Sequence, residues 1–184
     1  MAVAALIIAG VALVAVWHVR GGGGVLVDRR MEDLVAGAPE TLKVSVEGIG
    51  PDGRIAVEYT CDGQDRPPRV EVSGVPSGAK AVALIMYDPD APIGTFIHWL
   101  AVQDAAPSVV FPSPSAVEGR NDFGRIGYGG PCPPRGHGAH RYFFLVVALD
   151  YKPGLTRGYR LSDVLAAAKG HVMAWGYAVG KYSR

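Results

Sequence analysis

Four short stretches hold most of the side chains able to do chemistry: Asp88-Pro89-Asp90-Ala91-Pro92, His98-Trp99, Gly130-Pro131-Cys132-Pro133-Pro134 and Gly138-Ala139-His140-Arg141-Tyr142. The first ends a wholly apolar run, so Asp88 and Asp90 leave the core together at a proline-stiffened corner. Taken alone, that corner is a turn with side-chain caps. His98 stands inside an apolar run, where a lone histidine is ordinarily a satisfied core residue. His140 opens another such run, directly after a glycine- and proline-rich stretch. If these pieces converge, imidazoles, the Tyr142 hydroxyl and loop N–H groups make a small donor-rich pocket. Such a pocket suits phosphate, sulfate or carboxylate, with an aspartate holding one histidine in its donor tautomer.

Two rival chemistries use the same residues. A metal-dependent hydrolase would draw on Asp88, His98, His137 and His140, but His137-x-x-His140 lies in a loop and lacks the helical H-E-x-x-H arrangement. Nucleophilic catalysis fares worse, because there is no G-x-S-x-G and Cys132, flanked by prolines, has no assigned base. The residues therefore predict a non-catalytic site with no metal and no cofactor. The two cysteines, Cys61 and Cys132, match no zinc-binding spacing and leave one bridge possible, whose geometry the sequence does not supply.

Strands must position these groups. Period-two alternation marks Leu42–Val46, the RIAVEYT segment at 54–60 and Val70/Val72 as half-buried strands. AVALIMY at 81–87 and YFFLVVAL at 142–149 read as strands buried on both faces, and 95–103 is a further strand carrying His98. One helix is expected beyond the N-terminus, capped by Ser162, running through Val164, Leu165, Ala168 and Val172, and interrupted or ended at Gly170. The architecture predicted is a mostly β, two-sheet sandwich with a C-terminal helix packed on it. Residues 111–140 stand apart: 12 of the 30 are Gly or Pro. An ordered loop of that length inside a compact domain is usually functional.

The composition carries its own exclusions. Charged residues make up 19% of the 184 and the formal net charge is +1, so no global field would draw nucleic acid. The hydrophobic share of 49% is unevenly spread. Residues 1–19, MAVAALIIAGVALVAVWHV, contain no formal charge and would span about 28 Å as a helix, close to a bilayer's hydrocarbon core. They read as a single-pass transmembrane anchor, since no basic n-region or small-x-small cleavage site is evident. Gly21–Gly24 is a flexible spacer, and residues 25–40 continue as linker or form one short helical turn. Arg20, Arg29 and Arg30 follow the run, which by the positive-inside rule places the globular part on the cytoplasmic side.

The ordered motifs from Tyr59 onward resemble the phosphatidylethanolamine-binding protein family, which includes the Raf kinase inhibitor proteins. YTCDGQDRPP at 59–68, GVPSGAKAVALIMYDPDAP at 74–92, HW at 98–99, YGGPCPP at 128–134 and GAHRYFFLVVALD at 138–150 match in order, and GHVMAWGYAVGKYSR at 170–184 resembles the family's C-terminal helix and tail. The resemblance covers about residues 41–184. It implies an antiparallel β-sandwich with a small anion pocket lined by Asp88, His98, His140 and Tyr142, with the backbone around Cys132 and Pro133 supplying an N–H and a wall. It also implies a phosphate-like anion or phospholipid head group as ligand, and action as a kinase-pathway modulator or serine protease inhibitor through surface loops. Arg69-Val70-Glu71-Val72 and Trp175 depart from the family pattern without touching the pocket motifs.

Overall fold

Strands β3 (Ala81–Asp88) and β7 (His140–Leu149) are apolar at nearly every position because both faces of their sheet are covered. The computed structural model describes residues 25–184, and in it these strands form the centre of a five-stranded antiparallel sheet ordered β6-β4-β3-β7-β8. The other members are β4 (Phe96–Asp104), β6 (Val117–Glu118) and β8 (Val172–Tyr182). A second antiparallel sheet orders β1 (Lys43–Val46), β2 (Val70–Ser73) and β5 (Ser108–Phe111) as β1-β2-β5.

Alternation along the central strands divides the core in two. Val82, Leu84, Met86, Phe144, Val146 and Trp99 face the small sheet, where Val70, Val72 and Phe111 meet them. Ala83, Ile85, Tyr87, Leu145 and Val147 face the opposite way, under α1 (Arg29–Val35) and α2 (Leu161–Ala168). The expected two-sheet sandwich with a helix packed on it is therefore present, with the helices on the outer face of the larger sheet.

Several local expectations change. The segment 25–40 is not a linker: Leu26 and Met31 are fully buried in the helix-side core, and Asp28 caps α1 by accepting from the Arg30 N–H at 2.8 Å. The folded unit thus begins before residue 41. RIAVEYT forms no ladder strand; Val57–Tyr59 is a short 3₁₀ turn that buries Tyr59. In α2, Asp163 rather than Ser162 serves the N-terminus, accepting from the Arg160 N–H at 2.7 Å. After Gly170 (φ +78°) the chain does not stay helical but forms β8, the sheet's longest strand. Period two was hidden there by glycine: a Cβ on Gly176 would lie 2.2 Å from the Leu42 carbonyl oxygen, so that side of the strand must be bare. The neighbouring Trp175 donates its indole N–H to the Ala38 carbonyl at 3.1 Å and ties the entering chain to β8.

The expected transmembrane anchor at 1–19 and the Gly21–Gly24 spacer lie outside the described residues. Among the described residues no helix is long and apolar enough to cross a membrane.

Candidate functional site

The layer between the two sheets stays apolar until its end, where the strands deliver polar groups instead. Asp88 closes β3, His140 and Tyr142 open β7, and Phe96 and His98 open β4, all on the sandwich side. His98 reaches that side through a break in register. Met86 pairs with Trp99 but Tyr87 pairs with Ile97, so His98 is the extra residue of a bulge. Bulges re-aim side chains in this way, and here the result is an imidazole set edge-on to the Tyr142 ring at 5.2 Å.

The loop 111–140 folds over this end and is tied down at several points. Gly129 N–H donates to the His98 carbonyl at 2.9 Å, Gly130 N–H to Asp65 Oδ1 at 2.6 Å, and the Tyr128 hydroxyl to the Tyr59 carbonyl at 2.6 Å. Gly130 has no room for a side chain, since a Cβ would stand 2.4 Å from the Tyr59 carbonyl oxygen. Cys61 and Cys132 are joined in a disulfide with Cα atoms 5.4 Å apart, which fixes the loop to the 59–65 turn. The bridge the sequence left open is formed.

What results is a cavity of about 260 Å³ containing every predicted site residue: Asp88, His98, Cys132, Pro133, His140 and Tyr142. Cys132 and Pro133 form wall, together with Phe96, Phe123, Ile93 and Pro134. Of these, Pro134 belonged to a stretch already singled out in the sequence, whereas Phe96, Phe123 and Ile93 were not, since an isolated apolar residue in a turn or at a strand end carries no signal. Asp88, His98, His140 and Tyr142 are all at least 97% buried.

The polar floor is partly committed to itself. His140 Nδ1 donates to Asp88 Oδ2 at 2.7 Å, while Asp88 Oδ1 accepts from the Asp90 N–H at 2.8 Å. His140 Nε2 meets Nδ1 of exposed His137 at 2.8 Å, so the two rings share a proton at the pocket wall. His98 Nδ1 faces the Gly129 carbonyl at 2.6 Å; a carbonyl only accepts, so Nδ1 carries the proton and Nε2 is a bare lone pair when the ring is neutral. Burial holds the His98 pKa below the ordinary histidine value, partly opposed by the Gly129 carbonyl and the Asp88 charge, so the neutral ring is favoured. The Tyr142 hydroxyl is buried and makes no hydrogen bond to the protein within 3.5 Å, although the Asp88 carboxylate lies close enough to act on it. Its ionisation is pushed far up by burial first and then by the nearby Asp88 and Asp90 charges, so it remains an O–H.

Asp90 does not share this role. Both its oxygens hold the Arg141 guanidinium, at 2.8 and 2.6 Å, and Oδ2 also accepts the Arg141 N–H at 2.9 Å. The Arg141 hydrogen bonds keep its carboxyl below the usual range. Two carboxylates separated by one proline thus part, one to the pocket floor and one to clamp the start of β7. Asp88, His98 and His140 share the cavity and His137 reaches His140, yet among the described residues no group of three or more His, Cys, Asp or Glu side chains is placed to hold an ion.

Sequence and structure comparisons agree on the family to which this two-sheet sandwich, open at one end into an Asp/His/Tyr pocket, belongs. The family model described as phosphatidylethanolamine-binding protein matches residues 46–183. A UPF0098 protein of Pyrococcus abyssi is 42% identical over 163 residues, covering 82% of this chain and 90% of its own length. A UPF0098 protein of Aquifex aeolicus is 47% identical, covering 68% of this chain and 79% of its own. Among solved structures, a putative phosphatidylethanolamine-binding protein homologue from Chlamydia trachomatis superposes with a TM-score of 0.71 at 31% identity, covering 79% of this chain and 99% of that one. Escherichia coli YbcL gives 0.70 at 29% identity, covering 78% and 99%. The chain belongs to the phosphatidylethanolamine-binding protein family.

Proposed function

We propose that this protein is a membrane-tethered, non-catalytic ligand-binding protein whose pocket takes a small phosphate-bearing group, such as inorganic phosphate or a phospholipid head group. The observation carrying this reading is the Tyr142 hydroxyl, buried without a partner beside a His98 ring whose Nε2 is free. A buried polar group left unmatched is costly, and a ligand that matches it recovers that cost. Tyr142 O–H donates to a phosphate oxygen. Neutral His98 accepts from a ligand P–OH or ammonium, and the protonated ring donates to phosphate directly. The apolar rim of Ile93, Phe96 and Phe123 suits the carbon part of a head group.

Titration with inorganic phosphate, and separately with phosphoethanolamine, should shift the His98 and His140 ring signals in NMR spectra. The double substitution His98→Ala/His140→Ala should abolish binding; a variant that binds as tightly as the unaltered chain removes the pocket reading. The Cys61–Cys132 bridge favours an oxidising compartment over the cytoplasmic side suggested by the arginines, and thiol alkylation in intact cells decides between them by finding the pair blocked or free.

A further inference from the structure

Four of the five large apolar side chains left exposed among the described residues belong to segments at the pocket end of the sandwich, Ile93 and Phe123 on the pocket itself and Val25 and Val27 on the helix side of the large sheet. Val27 is 45% exposed, Ile93 86% and Phe123 42%, and Val25 is likewise uncovered. Hydrogen bonds bring their segments to one end of the sandwich. Tyr87 at the end of β3 donates its hydroxyl to the Leu26 carbonyl at 2.7 Å, and Ile97 in β4 donates its N–H to Asp122 Oδ2 at 2.7 Å. Ile93 and Phe123 both line the pocket mouth. Val27 is held at φ +64°, a conformation that β-branched residues rarely adopt. It is fixed there between fully buried Leu26 and the α1 cap Asp28, and its side chain is left in solvent.

Positive charge borders these apolar residues. On the other side of the β4 entry from the pocket, Thr95 and Ile97 lead into a cleft of about 190 Å³ lined by Arg30, Arg120, Arg160 and Asp122. Arg30 is paired with Asp28 at 2.7 Å, and Arg120 donates to the Gly124 carbonyl at 2.6 Å. Neither Arg120 nor Arg160 has a carboxylate partner among the described residues, and Asp122 spends one oxygen on the Ile97 N–H. Apolar side chains beside arginines that outnumber their carboxylates are the composition of a surface that rests in a lipid interface.

The place where the chain enters this end selects the occupant. Val25 follows directly on Gly21–Gly24 and the uncharged run 1–19. We propose that this end of the sandwich is a bilayer-contact face, in which Val27, Ile93 and Phe123 enter the acyl boundary while Arg120 and Arg160 meet the phosphates of anionic lipids. The pocket mouth then opens at head-group depth. The inference rests on the tether reading, but not on the pocket's ligand.

The test uses the full chain, methyl-labelled, in lipid nanodiscs of phosphatidylcholine doped with phosphatidylglycerol and a gadolinium-chelating lipid. Methyl signals of Val25, Val27 and Ile93 should broaden, and those of Val172, at the far end of β8 beside Leu149, should not. Each arginine near an anionic surface contributes roughly a fivefold preference for contact. Arg120→Gln/Arg160→Gln, or pure phosphatidylcholine discs, should therefore cut the contact population by roughly twentyfold. Equal broadening at Val172, or broadening unchanged in the double variant, overturns the proposal. Loss of phosphate-induced ring shifts with methyl broadening retained removes the pocket reading alone, whereas a chain that does not associate with the discs removes the tether reading and the bilayer-contact face together.

Discussion

The middle of the five-stranded sheet and its pocket end are built from the same three central strands, β4, β3 and β7, yet they solve burial differently. In the middle, Val82, Leu84, Leu145 and Val146 fill two cores without a polar side chain, and hydrophobic transfer and close packing hold the layer. At the end, Asp88, His98, His140 and Tyr142 are as deeply buried as those aliphatics. They are tolerated because Asp88 and His140 satisfy each other and His98 Nδ1 is satisfied by Gly129, whereas His98 Nε2 and the Tyr142 hydroxyl are left over. The difference separates what makes the domain stable from what the proposed binding would use. The middle has no spare valence, and the end has two spare groups enclosed by a loop.

If the end needs external fastening where the middle does not, cutting the fastener should have the largest effect. Cys61→Ala/Cys132→Ala removes a bridge that spans 71 residues, and loop-closure entropy puts its loss at about 4 kcal/mol. Urea unfolding of the oxidised chain and the variant measures this. A loss below about 1 kcal/mol would mean that the loop's hydrogen bonds hold it unaided.

The second difference concerns protons. His98 has a folded-state pKa below its ordinary value of 6.5, so the unfolded chain takes up its proton first as pH falls. Stability contributed by neutral His98 is therefore whole above that value and lost as pH drops below it, until the folded-state pKa is passed. His98→Asn keeps a donor toward the Gly129 carbonyl but does not titrate, so its stability should fall less steeply below pH 6.5 than that of the unaltered chain. Identical pH slopes would place the acid sensitivity elsewhere.

The smallest effect is also the most discriminating. Replacing Tyr142 by Phe removes a buried hydroxyl that has no partner and should stabilise the empty protein by about 1 kcal/mol, while weakening phosphate binding. A comparable apolar trim in the middle of the sheet, Leu145→Ala, instead costs roughly 2–5 kcal/mol. Calorimetry with and without phosphate separates the outcomes. A Tyr142→Phe variant that loses stability and keeps its affinity would make the hydroxyl structural.

Much of this architecture was readable in one dimension. Unbroken apolar runs at 81–87 and 142–149 announced strands covered on both faces, and the run of Gly and Pro at 111–140 announced the loop that closes the site. The helix expectation beyond Gly170 failed because β8 carries glycines where the 41–42 segment presses on it, and glycine erases the alternation that marks a strand. RIAVEYT alternated without forming a ladder, since only Ile55 and Tyr59 pack inward while Val57 stands exposed on a 3₁₀ turn. The segment 25–40 concealed Leu26 and Met31 as core residues, because an apolar residue in a short, uneven stretch has no periodicity to betray its partner.

The site divides in the same way. By itself the sequence determined which residues stand in ordered motifs, Asp88, His98, Cys132, Pro133, His140 and Tyr142, and these six line the cavity beside Ile93, Phe96 and Phe123, which it did not mark. Tertiary structure decided their roles. It separated Asp88 from Asp90, turned His98 into the pocket through a bulge, joined Cys61 to Cys132 and left Tyr142 without a partner. Residue types along a chain record which faces will be buried. The partner of a carboxylate or an imidazole is chosen among groups dozens of residues away, and only register and loop closure bring those within hydrogen-bond reach.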